Sequence, residues 1–288
     1  MTLFDAIVTP GFFTNGPVQT ALLVGGGAAV ISAAIGVFTV IRGQSFAGHA
    51  LADVSSAGGS LAFLVGFAPL WGFLGIAALA AMALEAVGLR RARERDLATG
   101  VVFGAGLGLT ALLLHFAIAT RSSSGAAISV MFGSIFAIPS GVVLPALAVG
   151  AGGLILLGAI WRPLLLASLH PDLAAARGIR VPLVGLLHLL VLSLAVTLSA
   201  MTVGAILSTA LLVGPAAAAV RLTRSAGQAV LLAAGLGLVA CWGGILLAYD
   251  SYGWTPGRPW PVSFFIVSLI FALYLLSGLR RPARLREA

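Results

Sequence analysis

Nine apolar runs, each long enough to cross a lipid bilayer, limit what this chain can fold into. A helix of about 20 apolar residues spans the ~30 Å hydrocarbon core of a bilayer. The runs cover residues 18–41, 46–66, 68–89, 98–120, 142–161, 182–200, 202–220, 227–249 and 260–279. Segment 125–138 is too short to span and is expected to form a half-helix or an outer hairpin. The sequence therefore predicts an all-α, polytopic membrane helix bundle of about 8–9 transmembrane helices in a single domain, residues 1–288.

The composition excludes a water-soluble fold. The 288 residues are 60% hydrophobic and only 8% charged, which leaves too little polar surface to cover a soluble domain. Cys241 is the only cysteine, so the chain can form no internal disulfide and no cysteine-based metal cluster. We therefore expect a multi-pass protein of a cell membrane that contacts lipid over much of its surface.

The arginines predict how the chain is oriented. All 16 basic residues are arginine. If the loop at 162–180 is cytoplasmic and each run crosses once, 14 arginines fall on the cytoplasmic side and only Arg121 and Arg258 fall outside. The positive-inside rule then predicts an N-out, C-in topology. Because the arginines are scattered between apolar runs and do not cluster with aromatic residues, the net charge of +8 does not indicate binding to nucleic acid.

The absence of lysine from the sequence excludes ATP binding by a Walker A loop of this chain. A Walker A loop needs lysine to reach the nucleotide phosphates, so this chain cannot carry one. The sequence also shows no HExxH spacing and no serine, cysteine or histidine constellation for hydrolysis. We expect no catalytic chemistry and no permanently bound cofactor in this chain, and any ATP-driven activity must come from a partner.

His49 and Asp53 are the most informative polar residues. Residues four apart lie on one face of a helix, so an imidazole and a carboxylate project toward the same point. Arg42 should sit at a membrane surface, which places Asp53 ~16 Å deeper, near the middle of the bilayer. Ionisable groups at that depth usually face a water-filled path or a binding site. The alternative is a mutually satisfied pair that only lowers the cost of burial, and one pair can serve both purposes.

Other polar residues offer weaker candidates for a path. His115, in the fourth run, and His188, in the sixth, are transient metal ligands or, as we prefer, packed and hydrogen-bonded histidines. Four hydroxyl residues can line a polar path or bond their own helix backbone. They are Ser55, Ser56, Ser208 and Thr209.

The loop at 162–181 contains its own short helix. Pro171 suits the first helical position and Asp172 the positive end of the helix dipole. Arg177 suits the negative end, and Gly178 the left-handed stop. His170, just before the helix, is expected to cap it or to contact a partner. Two interpretations remain open, an amphipathic helix on the lipid surface or a docking element for a soluble partner.

Three stretches, in order and at family spacing, resemble the membrane permease subunits of ATP-binding cassette (ABC) importers for zinc, manganese and iron. Residues 48–58 resemble a family motif of the type Gly-Asp-Ala-Leu-Ser-His-Ala-Val-Leu-Pro-Gly. Residues 170–179 are similar to Asp-Pro-Glu-Leu-Ala-Arg-Ala-Leu-Gly-Leu. Residues 211–219 are similar to Leu-Leu-Val-Thr-Pro-Ala-Ala-Thr-Ala. The order of the acidic residue and histidine is reversed here, because His49 stands where the family has Asp and Asp53 where it has His, and Ala57 replaces the proline.

The resemblance implies a permease of the bacterial cytoplasmic (inner) membrane that acts as a homodimer. It implies two copies of an ATP-binding cassette ATPase subunit and an extracytoplasmic metal-binding protein as partners. The metal path would include His49 and Asp53, and the cargo would be zinc first, then manganese or iron. The alternatives are an ABC permease for an organic ligand such as a siderophore or vitamin, and a secondary ion-coupled transporter. The ATPase would be coupled through Leu169, His170, Pro171, Asp172, Leu173, Arg177 and Gly178.

Overall fold

A computed structural model of the chain describes residues 11–86, 92–121, 125–254 and 260–279. These residues form helices, with short 3₁₀ turns at Phe12–Thr14, Ile135–Ala137 and Ser140–Val142 and no strand within the described ranges. The helices are α1 (Gly16–Ile41), α2 (Ser45–Val65), α3 (Pro69–Ala86), α4 (Ala92–Arg121), α5 (Ala126–Phe132), α6 (Val143–Ala159), α7 (Trp161–Leu169), α8 (Pro171–Ala176), α9 (Val181–Val203), α10 (Ala205–Leu222), α11 (Ala226–Trp254) and α12 (Val262–Gly278). The prediction of an all-α bundle is confirmed.

The nine apolar runs correspond to the nine longest described helices. Seven of them are long and apolar enough to cross a membrane. The other two are α12, which has only 17 residues, and α2, whose serines, glycines, histidine and aspartate make its 21 residues less apolar. Both fall near the spanning length, so nine crossings stay the simplest prediction.

The N-out, C-in orientation also stays a prediction. Seven of the arginines on which it depends lie outside the described residues, namely Arg90, Arg91, Arg258, Arg280, Arg281, Arg284 and Arg286. The side chains of Arg93, Arg95 and Arg121 lie outside the described part as well.

The bundle is organised around α1. In an apolar 18-residue stretch of α1, 78% of the residues are buried, against 22% in the corresponding stretches of α4 and α6. Helices α6, α9, α10 and α11 pack around α1, and α3, α4, α9 and α10 pack around α2. Helices α4 and α6 lie at the outside of the bundle and expose large apolar residues, such as Leu112 and Ile155. Exposed apolar side chains of this kind suit a surface that faces hydrocarbon. The polar helix α2 is thereby kept among other helices.

Glycines let helix backbones meet where α2 crosses α3 and where α1 crosses α10. A Cβ atom added at Gly58 would lie 1.9 Å from the carbonyl oxygen of Gly72, and one added at Gly72 would lie 2.2 Å from that of Gly58. A Cβ atom at Gly36 would lie 2.0 Å from the carbonyl oxygen of Leu212. Such contacts are possible only without side chains, and close backbone packing is the main source of helix association in lipid.

Segment 125–138 is a half-helix inside the bundle. Helix α5 packs against α2, α9 and α10, and Val130 is buried among Phe73, Leu114 and neighbouring side chains. The helix stops at Gly133, whose backbone lies against the junction of α9 and α10 at Gly204. Both glycines have positive φ angles, +74° and +95°, which side chains with a Cβ rarely adopt. One side of the segment therefore packs on the bundle, while Ile128 and Phe132 stay exposed.

The crossing of α2 and α3 makes a matched pair of substitutions informative. We expect Gly72→Ala to lower the apparent unfolding temperature in detergent, because the new methyl group must push α2 away at a cost of about 1–3 kcal/mol. Gly75→Ala is the control, since a Cβ atom there meets nothing within 4 Å and alanine is favoured over glycine in a helix by about 1 kcal/mol. Equal unfolding temperatures for the two variants would contradict the close crossing.

Candidate functional site

Helix α2 brings His49 and Asp53 together, as their spacing predicts. The helix begins after Gly43, which has a φ of +64°, and ends at Gly66, which has a φ of +92°. His49 Nε2 lies 3.3 Å from Asp53 Oδ2. The imidazole and carboxylate therefore form one polar unit on one face of the helix.

The side chains of His49 and Asp53 differ in how much of their surface is exposed. The Asp53 side chain is only 5% exposed, whereas that of His49 is 35% exposed. An ion that approached the pair would therefore meet the imidazole first and the carboxylate behind it. The carboxylate is therefore the more buried of the two groups.

Thr209 and Phe103 hold the imidazole from two other helices. Thr209 Oγ1, in α10, is hydrogen-bonded to His49 Nδ1 at 2.7 Å. The ring of Phe103, in α4, has its centroid 5.6 Å from that of His49 with an interplanar angle of 34°. Both ring nitrogens are engaged, one by the hydroxyl and one by the carboxylate. The orientation of the imidazole therefore depends on α4 and α10 as well as on α2.

The pair supplies too few ligands for a closed metal site. No group of three or more histidine, cysteine, aspartate or glutamate side chains that could hold a metal ion occurs among the described residues. Structural zinc sites use four ligands, so one copy of this arrangement cannot form such a site. A site with two ligands suits an ion that binds briefly and leaves.

The structure does not bring His115 or His188 to the pair. His115 lies on the exposed side of α4, with its ring edge toward Phe116 at 5.7 Å. His188 is fully buried in α9, and neither of its ring nitrogens has a hydrogen-bond partner in the described part of the chain. The expectation of a packed histidine is wrong for the exposed His115. It holds for His188, although the expected hydrogen bonds of His188 are not found in the described part of the chain.

The four hydroxyl candidates separate into two kinds. Ser55, Ser56 and Ser208 donate to backbone carbonyl oxygens of their own helices at 2.5–2.7 Å, and Ser56 also meets Thr110 at 2.8 Å. Thr209 alone among the four contacts the histidine. Only Thr209 therefore belongs to the candidate site.

The loop at 162–181 contains α7 and the predicted short helix α8. Pro171 is in the first turn, Asp172 is the acidic residue of that turn, and Arg177 follows the last helical residue. Gly178 has a φ of +78°. Its N–H donates to the Ala175 carbonyl at 2.9 Å, and the Ile179 N–H donates to that of Ala174 at 3.0 Å, the paired bonds of a Schellman stop. The predicted limits of this helix are confirmed.

The side chains of this loop leave an apolar surface uncovered. Leu169 is 52% exposed and Leu173 is 43% exposed, whereas Ala174 is fully buried against the body of the protein. The His170 side chain makes no capping hydrogen bond to α8. Of its two expected roles, capping is therefore excluded, and contact with a partner stays a prediction.

A polar contact connects this loop to the helix that carries the pair. Arg42, at the turn between α1 and α2, donates from Nη1 to Ser168 Oγ in α7 at 3.2 Å. Its Nε donates to Gln44 Oε1 at 3.1 Å. The Trp161 ring packs edge-on against Phe38 of α1, with the centroids 5.0 Å apart. A displacement of α7 would therefore act directly on the start of α2.

Sequence reasoning did not find Phe103, Thr110 or the contact between Arg42 and Ser168. Phe103 stands three residues before Gly106, where a Cβ atom would lie 2.5 Å from Val54 Cγ2, so this glycine marks the crossing that brings α4 onto α2. An aromatic residue near a glycine in an apolar run is too common a pattern to single out. The other contacts join distant parts of the chain and have no local signal.

Comparisons with known proteins all match this chain to transport proteins. The family described as the ABC 3 transport family matches residues 16–277. The manganese import system permease protein ScaB of Streptococcus parasanguinis is 29% identical over 232 residues, which is 81% of each chain. The manganese transport system membrane protein MntC of Listeria innocua is 28% identical over 239 residues, covering 83% of this chain and 84% of that protein.

One solved structure is similar over nearly the whole chain. PsaBC from Streptococcus pneumoniae, solved in complex with a Fab, contains a chain that superposes with a TM-score of 0.80 at 26% sequence identity. The match covers 94% of both chains. The architecture described above is therefore shared with that structure over nearly the whole chain.

The hydrogen bond between Thr209 and His49 should slow chemical modification of the His49 imidazole. We expect Thr209→Val to increase the rate at which diethyl pyrocarbonate modifies His49, by several-fold, because Nδ1 loses its hydrogen bond while the size of residue 209 is nearly kept. The rate is measured on the purified protein by peptide mass spectrometry. Thr110→Val is the control, because Thr110 bonds Ser56 and the Gly106 carbonyl. A rate that changes equally in both variants would contradict the arrangement.

Proposed function

The chain belongs to the ABC 3 transport family, and from that membership we propose that it is the permease of an ATP-driven importer that carries Mn²⁺ into the cell. The family match confirms the resemblance to metal-type ABC permeases that was read from three stretches of sequence. The chain is a multi-pass protein of the bacterial inner membrane, and ATP is hydrolysed by a separate ATPase subunit. The secondary-transporter alternative is therefore dropped.

The relatives support manganese ahead of zinc as the cargo. Both permeases described above are named for manganese, whereas the sequence alone placed zinc first. One carboxylate and one imidazole suit either ion, because geometry and availability decide the choice between them. We propose Mn²⁺ as the cargo and keep Zn²⁺ as the alternative.

The contact between His49 and Asp53 is the observation that carries the proposal. It places two metal-binding groups 3.3 Å apart on a helix enclosed by other helices. In the empty site the two groups satisfy each other. An arriving Mn²⁺ would replace that contact with bonds to the carboxylate oxygen and to Nε2, while Thr209 keeps hold of Nδ1. One chain alone gives only two ligands, which is fewer than a closed metal site uses.

A second copy of the chain would complete the path. The partly exposed His49 side chain leaves the pair open on one side. Two copies related by a two-fold axis would bring two such pairs to a shared path, for four ligands in all. We propose that the permease is a homodimer with one ATPase subunit on each copy, and that an extracytoplasmic binding protein delivers the metal.

The loop at 162–181 would transmit the work of the ATPase to the pair. In this proposal the ATPase docks on the exposed residues Leu169 and Leu173 and moves α7 and α8 when it binds ATP. The hydrogen bond between Arg42 and Ser168 passes that movement to the start of α2. His49 lies about one turn further along the same helix, so a rigid-body shift of α2 would change which side of the membrane the pair faces.

Uptake of metal into vesicles tests the site and the cargo together. We expect His49→Ala and Asp53→Ala each to lower ATP-dependent uptake of ⁵⁴Mn at least about tenfold, because each removes one of the two ligands. Parallel assays with ⁶⁵Zn identify the cargo. Ser60→Ala is the control, because that hydroxyl only bonds the Ser56 carbonyl of its own helix.

Two results of this experiment would count against the proposal. Normal uptake of both metals in both variants, with assembly intact, would make the pair structural. No ATP-dependent uptake of either metal by the wild-type complex would favour the siderophore or vitamin alternative.

The exposed leucine of α8 decides between the two roles left open for this helix. We expect Leu173→Asp to reduce co-purification of the ATPase subunit at least about tenfold, because a charge replaces an apolar anchor of the docking surface. The control is Ala175→Ser, a small change at another exposed position of α8. If Leu173→Asp instead leaves ATPase binding intact and weakens only the association of α8 with lipid, the docking role is wrong.

A further inference from the structure

A cavity at one end of the bundle includes neither His49 nor Asp53 in its lining, although it does include Leu169 and His170 of the loop on which we propose that the ATPase docks. It has a volume of about 880 Å³ and lies between α7, the stretch that follows α8, and the start of α11. Its walls are mainly apolar and include Ile41, Leu165, Leu166 and Ile179. A cavity of this size and character is typical of a site for a small amphipathic molecule.

Three guanidinium groups line the same cavity. Arg162, Arg177 and Arg224 contribute to it, and no aspartate or glutamate does. None of the three forms an ion pair with another described residue. Three positive charges beside an apolar wall select a ligand that has a negative charge at one end and a hydrocarbon chain at the other.

The cavity lies at the level where membrane-spanning segments end. Arg162 comes directly after α6 and Trp161, Arg224 lies between α10 and α11, and Ile41 is the last residue of α1. Tryptophan and arginine are common at the depth of the lipid headgroups. By the predicted orientation this is the cytoplasmic leaflet, which is the leaflet with the larger share of anionic lipid.

We propose that the cavity binds one anionic phospholipid. Arg162 and Arg224 hold its phosphate group, and an acyl chain lies against Leu165 and Leu166. The lipid then contacts both α7 and the start of α11. This site is separate from the metal pair, and its occupancy does not depend on whether the chain carries manganese.

Lipid retention by the purified chain tests the proposal. The protein is reconstituted with equal amounts of phosphatidylglycerol and phosphatidylcholine, extracted, and examined by native mass spectrometry. We expect the wild type to retain one phosphatidylglycerol in preference to phosphatidylcholine. The double variant Arg162→Gln/Arg224→Gln should lower that preference roughly 10- to 30-fold, since each arginine near an anionic surface contributes about a factor of five.

Two further variants separate a lipid site from a general loss of charge. Arg180→Gln removes an exposed arginine of the same loop that does not line the cavity, and should retain the lipid. Arg162→Lys/Arg224→Lys keeps both charges and should restore most of the preference. If the double glutamine variant retains as much phosphatidylglycerol as Arg180→Gln, the proposal is wrong. If millimolar inorganic phosphate displaces the bound species, the site takes a free anion and the lipid assignment is overturned.

Discussion

The cost of placing a carboxylate among apolar helices is the constraint on which the arrangement of this protein depends. A charged aspartate at the centre of a membrane helix costs about 3 kcal/mol by insertion measurements. Here Asp53 is almost completely buried, and His49 is the group that meets it. The histidine is held in turn by Thr209 and covered by Phe103. Residues from three helices thus surround the imidazole that meets this one carboxylate.

Close packing of α2 depends on residues without side chains. At Gly58 and Gly72 the backbones of α2 and α3 are in direct contact, and Gly106 allows α4 to lie across Val54. Lipid provides little hydrophobic drive for helices to associate, so tight contact of this kind must replace it. The same crossings keep α2 enclosed although it carries an aspartate, a histidine and several serines.

Local sequence patterns were enough to predict the helices and the contact between His49 and Asp53. Which other residues lie near this pair depends on long-range packing of the helices. The contact between His49 and Asp53 follows from a spacing of four residues, and the limits of α8 follow from Pro171 and Gly178. Thr209 was one of four hydroxyl candidates, but only the placement of α10 against α2 separates it from Ser208. The exclusion of His115 from the pair depends on which side of α4 faces outward, which a uniformly apolar helix does not reveal.

The junction between α9 and α10 is a single residue, Gly204. A connection this short has no slack, so the chain cannot accept an insertion here without separating the two helices. The backbone of α5 at Phe132 closes the remaining space beside Gly204. Thr209 lies only five residues beyond this joint, hence the hydroxyl that holds His49 is anchored at a fixed height in the bundle. Relatives of this protein should therefore vary in length at other loops and keep this joint unchanged.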